Sequence, residues 1–219
     1  MKERPILFNG PMVRALLSGG KTQTRRIVKG AEQWPANAVK AVMLETRGTA
    51  MAVDAQRYTY SPEIKCPYGM PGDRLWVRET HAPQSDCWGA WERSMQYGSR
   101  QDSPIIHFAA DESIQPFIEK WRPSIHMPRW ASRITLEIVS VRVERLQDIS
   151  EADAIAEGVY PDCGCRQDDD VTGFYRVGPV RGDSYPIARY AALWESINGQ
   201  DSWDANPWIW AIEFKRITP

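Results

Sequence analysis

Apolar and polar residues alternate most regularly near the C-terminal end of the chain, where Trp208, Trp210, Ile212 and Phe214 share one parity of WIWAIEF. A period of two places such residues on one face of a strand. ITLEIVSVRVERL alternates as well, but its phase breaks: Ile134, Leu136 and Ile138 hold one parity and Val139, Val141 and Val143 the other. A strand that keeps burying apolar residues across such a break needs a bulge or corner, as a small curved barrel requires. PGDRLWVRET follows two Pro/Gly turns and reads as a further strand, with Leu75, Val77 and Glu79 on one face. Helical spacing marks three short segments. Met12, Ala15 and Leu16 follow Asn9-Gly10-Pro11 and stop at Gly19 and Gly20. Ser150 and Asp153 frame a capping box ahead of EADAIAEG, and Pro186 opens a helix carrying Ile187, Tyr190, Ala191, Trp194 and Ile197 up to Gly199.

Between these elements the pattern weakens. Residues 30–62 show scattered apolar positions and suggest weak strands in a surface insertion. Residues 81–122 are aperiodic apart from a short strand at Ile105–Ala109, and 159–185 is a loop rich in Asp, Gly and Arg. The expected architecture is one α+β domain over residues 1–219, a small curved sheet or barrel with short peripheral helices and long inserted loops at those three places.

Composition narrows the partners. Lysine and arginine total 27 against 28 acidic residues, and a net charge of -1 argues against bulk electrostatic attachment to long nucleic acid. The start MKERPILFNG lacks the apolar core of a secretory signal and no apolar run reaches membrane-spanning length, so a soluble cytoplasmic protein is expected. Ten tryptophans supply large core side chains or platforms for a stacked base. Cysteines at 66, 87, 163 and 165 are too irregular for a disulfide framework. Cys163 and Cys165 invite a metal reading, but structural zinc uses two spaced pairs and no second pair is visible; no metal or cofactor is expected.

Chemistry concentrates in LSGGKTQTRR, residues 17–26. It is not a phosphate-binding P-loop, because the spaced first glycine and the strand-before, helix-after context are missing. Lys21 and Thr24 lie on one side only if the segment turns; an extended backbone separates them. A carboxylate on an apolar face needs a partner, which makes Glu79 a candidate for Lys21, against the alternative of a solvated basic turn with Glu79 paired to Arg78 or Arg26. Arg25, Arg26, Arg129 and Arg133, with Trp130 and His126, form either a phosphate-binding, base-stacking patch or a set of ordinary ion pairs. His126 reads more readily as a buried, hydrogen-bonded histidine than as a substrate contact.

GGKTQTRR, PYGMPGDRLWVRET, WRPSIHMPRWASRITLEI and NPWIWAIEFKRI together resemble the ASCH family, in particular long prophage-type members. The resemblance implies a PUA-like β-barrel. It also implies, by analogy with one branch of the family, an amidohydrolase that cleaves N4-acetylcytidine and related N4-acylated cytosine nucleosides. By the same resemblance the catalytic lysine, threonine and glutamate fall on Lys21, Thr24 and Glu79. Arg25, Arg26, Trp76, Arg78, His126, Trp130 and Arg133 are the candidates for substrate contact. The alternative, from other relatives of that fold, is a module that binds RNA or a modified base without chemistry. Chain length and the inserted loops depart from the small hydrolase branch.

Overall fold

A computed structural model of the chain describes residues 1–35, 38–44, 48–54, 61–84, 87–99, 104–111, 118, 120–159 and 185–217. Its framework is a five-stranded sheet built from β1 (Glu3–Leu7), β2 (Gln23–Ile27), β6 (Arg74–Arg78), β9 (Thr135–Arg145) and β10 (Trp208–Ile217), in the order β1-β6-β9-β10-β2. Only the β1–β6 pair is parallel. A second sheet joins β3 (Ala38–Leu44), β4 (Thr49–Asp54) and β5 (Ile64–Lys65); a hairpin pairs β7 (His81–Pro83) with β8 (Ile106–Phe108). Four α-helices are described beside short 3-10 turns: α1 (Gly10–Leu17), α2 (Trp88–Tyr97), α3 (Glu151–Ala156) and α4 (Tyr185–Asn198).

The alternation in β10 buries both sides of the main sheet. Trp208, Trp210, Ile212 and Phe214 enter one core with Leu75, Val77, Leu136 and Ile138, while Ile209 and Ala211 enter a second with Tyr190, Leu193 and Trp194 of α4. Each such large side chain removed from water contributes about 1.5–3 kcal/mol before ordering costs. The phase break in β9 is a bulge: Glu213 pairs with Ser140 and Phe214 with Ile138, so Val139 has no opposite residue and is 46% exposed. The extra residue resets the parity, and Val141 is again buried. The helix signals operate as read. Asn9 accepts from the Met12 amide at 3.1 Å to start α1, and Ser150 and Asp153 cap α3 reciprocally.

Three expectations are corrected. The 30–62 segment is not a surface insertion: Trp34, Ala38, Ala41, Ala50 and Ala52 line the first core, and Trp34 meets Trp208 edge-on at 5.7 Å. Small alanines there let the second sheet lie close to the first. The 81–122 segment contains α2 as well as the expected short strand, and Trp91 of that helix is buried in a third core with Met127 and Ala131. Finally, the sheet is not a closed barrel among the described residues, since β1 and β2 remain its edges. A side chain links them instead: Arg26 Nη2 donates to the Leu7 carbonyl at 2.8 Å. The expected loop at 159–185 lies, apart from its ends, outside the described residues.

The turn after α3 is tightly specified. Gly158 has φ +90°, and a Cβ there would stand 3.1 Å from the Ala15 Cβ and 3.4 Å from the Lys21 Cβ. Gly158→Val is therefore expected to destabilise the protein by ~1–3 kcal/mol, from left-handed backbone strain plus the clash, measurable as a lowered urea midpoint.

Candidate functional site

The residues 17–26 stretch leaves α1 through Ser18 and Gly19, the latter at φ +81°. It is then drawn straight. The Lys21 amide donates to the Ala15 carbonyl, the Thr22 amide to the Ala156 carbonyl, and Gln23–Ile27 pair with β10 as strand β2. The basic stretch is thus extended from an isolated bridge at Lys21 into the edge strand β2, so Lys21, Gln23 and Arg25 share one parity and Thr24 and Arg26 the other. The turn that would bring Lys21 and Thr24 to one side is replaced by backbone pairing.

Lys21 is 2% exposed. Its Nζ donates to Glu157 Oε2 at 2.7 Å and to the Glu157 carbonyl at 2.8 Å, and lies 5.6 Å from the centre of the Phe8 ring. The carboxylate in contact with Lys21 is therefore Glu157, at the C-terminal cap of α3, and not Glu79. The other Glu157 oxygen faces Arg25 Nη1 at 3.3 Å. Arg25, itself buried, also reaches Glu144 Oε1 at 2.8 Å and Asp153 Oδ2 at 3.3 Å, and Gln23 Nε2 donates to Asp153 Oδ1 at 2.9 Å. Arg142 meets Asp153 and Glu144 from the more exposed side. Lys21, Arg25 and Arg142 thereby balance Glu144, Asp153 and Glu157, the condition under which charges tolerate burial.

The electrostatics follow from this packing. Burial pushes the Lys21 ammonium below the ordinary lysine value of 10.5, with Glu157 opposing the shift. Burial also disfavours the Arg25 charge, but Glu157, Glu144 and Asp153 outweigh it and raise that group. Desolvation, reinforced by Glu157, carries the Tyr190 hydroxyl well above 10.0.

Beside the cluster a cleft of about 210 Å³ runs between β2 and the C-terminal half of α4. Thr24, Arg25 and Glu157 line its inner part, with Tyr190; Arg26 and Lys29 also line it. Its volume is below the ~300–1,000 Å³ of drug-sized pockets, which suits a single small ring system.

The other sequence candidates belong elsewhere. Glu79 sits just past β6, where Arg133 Nε and Nη2 donate to its two oxygens at 3.0 and 2.9 Å; Arg133 also pairs with Asp111 and covers the Phe108 ring at 3.9 Å. Burial raises the Glu79 carboxyl above its usual range, against the pull of Arg133. Trp76 is buried with Arg78 stacked on it at 4.6 Å, and Arg78 also donates to the Ile125 carbonyl. Trp130 packs on Trp91 at 5.0 Å. His126 is exposed, and the buried histidine of the chain is His81, 0% exposed, with Nδ1 3.1 Å from the Glu79 carbonyl oxygen. The contacts thus divide the proposed basic patch: Arg25 and Arg26 flank the cleft, while Trp130 and Arg133 belong to the packing around β7 and β8. Cys66 and Cys87 are free thiols, and Cys163 and Cys165 lie outside the described residues.

Glu157 is the functional candidate that sequence reasoning missed. The capping box and Gly158 located the end of α3, but no local pattern tells that this glutamate docks on a lysine 136 positions away. Among the described residues no helix is long and apolar enough to cross a membrane. No family model, no curated protein and no solved structure matches this chain.

Proposed function

We propose that the protein is an amidohydrolase that cleaves the exocyclic amide of an N4-acylated cytosine nucleoside, on a curved sheet of PUA-like kind. The observation that carries this reading is Glu157, which lines a small cleft together with Thr24 and is ion-paired with the buried Lys21 outside that lining. Amide hydrolysis requires a base for the nucleophile, a proton for the departing nitrogen and a donor for the oxyanion. The lysine, threonine and glutamate types match the ASCH resemblance, with Glu157 taking the role first given to Glu79.

The extended backbone sets Lys21 and Thr24 at alternate parities, which favours water over Thr24 as the attacking group. In this mechanism Glu157 accepts a proton from the water as its oxygen adds to the acyl carbon. Glu157 then passes that proton to the departing exocyclic nitrogen, while the buried Lys21 ammonium holds the carboxylate in place and the Thr24 hydroxyl donates to the oxyanion. The carbon–nitrogen bond breaks, giving cytidine and a carboxylic acid, and Glu157 is again the carboxylate.

The test is ultraviolet-monitored hydrolysis of N4-acetylcytidine and a bulkier N4-acylcytidine. Turnover by the wild type is expected, without an acyl-Thr24 adduct in quenched single-turnover samples analysed by mass spectrometry. An inactive wild type on every acylated cytidine would overturn the activity, and an acyl-Thr24 species would overturn the water mechanism. The pH profile gives a further check. Because the Lys21 ammonium, with its pKa lowered by burial, keeps Glu157 ionised and in place, kcat/KM is expected to fall on the alkaline side beginning below pH 10.5. A profile flat through that range would remove Lys21 from this role.

A further inference from the structure

The cleft has a polarity that the hydrolysis itself does not need. Its inner part is balanced, since Glu157 answers Lys21 and Arg25. Arg26 and Lys29, which also line it, are not balanced: neither forms an ion pair with another described residue. Arg26 spends one nitrogen on the Leu7 carbonyl and lies over the Phe8 ring at 5.4 Å, which holds its guanidinium in place, while Lys29 is exposed. Among the described residues Glu157 is the one carboxylate that lines the cleft. The opposing influence is the C-terminal end of α4, whose carbonyls carry partial negative charge. Two of them are already engaged, Trp194 by the Asn198 amide at 3.0 Å and Glu195 by the Gly199 N–H at 2.8 Å.

From this we infer that the site takes a phosphorylated substrate, an N4-acylated cytidine monophosphate, with Arg26 and Lys29 holding the phosphate. The inference rests on the hydrolase reading for the acyl group, but its phosphate site stands or falls separately. Guanidinium and ammonium donors form short, charge-assisted hydrogen bonds to phosphate. The cleft of about 210 Å³ takes the base ring, so the ribose and phosphate extend past it toward the exposed Lys29; a chain of net charge -1 offers little long-range attraction for a polyanion, which favours a mononucleotide over a strand of RNA.

The experiment is calorimetric binding of cytidine, cytidine 5′-monophosphate and a short cytidine-containing oligonucleotide to the full-length wild type, Lys29→Ala and Lys29→Glu. These product-like probes bind whether or not the protein turns over acylated substrates. The monophosphate is expected to bind about tenfold or more tightly than cytidine, an advantage that shrinks in Lys29→Ala, reverses in Lys29→Glu and weakens with salt. Equal affinity for cytidine and its monophosphate, or no binding of either, would overturn the inference. So would an oligonucleotide that binds more tightly than the monophosphate, since that points to RNA. If the monophosphate is preferred and lysine-dependent but no acylcytidine or acylcytidine monophosphate is hydrolysed, the phosphate site stands and the hydrolase reading falls.

Discussion

Glu157→Gln is expected to lower kcat/KM on an N4-acylcytidine by about 10²–10⁴-fold, the usual contribution of a general base. Glutamine keeps the volume and one acceptor for Lys21, but it cannot accept the proton of the attacking water. Lys21→Met should fall in the same range, because its hydrocarbon stem still fills the space beside Phe8 while the charge that holds Glu157 ionised is gone. The double variant should be hardly worse than either single one, since the two groups act as one unit and their effects are not additive. Glu79→Gln is the discriminating control. Glu79 holds Arg133 just past the end of β6 and does not line the cleft, so its removal should lower stability more than rate, with less than about tenfold lost in kcat/KM. Parallel assays of the four proteins, each checked for folding by circular dichroism, decide the matter. If Glu79→Gln is inactive and Glu157→Gln retains full rate, the assignment of the carboxylate is reversed.

Arg25→Met carries the largest expected cost in stability, about 3–5 kcal/mol. The guanidinium is fully buried and faces Glu157, Glu144 and Asp153. Its loss leaves three carboxylates in a region of low polarity with only Lys21 and Arg142 to offset them. Urea denaturation should show the midpoint shift at neutral pH. Acidification should partly recover it, because protonating the stranded carboxylates relieves the repulsion. Asp153 gives the sign in the wild type: Gln23, Ser150, Arg25 and Arg142 outweigh desolvation and hold its pKa below 3.8. Its contribution is therefore present above the unfolded value and lost as pH falls through the folded one. An Arg25→Met protein as stable as the wild type at pH 7 would show that the arginine neutralises nothing of consequence. Adding Glu157→Gln to Arg25→Met should cost less than the sum of the two changes, since the second removes one of the charges that the first strands.

Much of the fold was legible because several signals are local. The parity break at Val139 located a bulge, since a strand between two cores cannot keep burying its apolar side chains without one. Asn9 and the Ser150–Asp153 pair fixed helix starts, because capping satisfies backbone donors within one turn. The small second sheet was harder to read. Its alanines pack against Trp34 and the main sheet, and small residues with weak alternation resemble a surface loop until something large covers them. Helix α2 was also missed. Trp91 and Ser94 are its buried positions, and so narrow an apolar stripe, between aperiodic flanks, gives little helical signal.

The sequence by itself determined the strands with regular alternation, the helix boundaries with their caps, and the stretch in which reactive side chains are concentrated. Each depends on backbone geometry and on neighbours a few residues away. The tertiary structure decided which charges meet. Lys21, Thr24 and Arg25 read as loop residues because they are polar, yet Thr24 and Arg25 belong to an edge strand buried by its pairing with β10, and Lys21, just before it, is buried by the docking of α3. Burial makes ion pairing obligatory there, and the partner is whichever carboxylate the packing delivers. That partner is Glu157 for Lys21, while Arg133 claims Glu79, because desolvated charges pair by spatial proximity and not by their order along the chain.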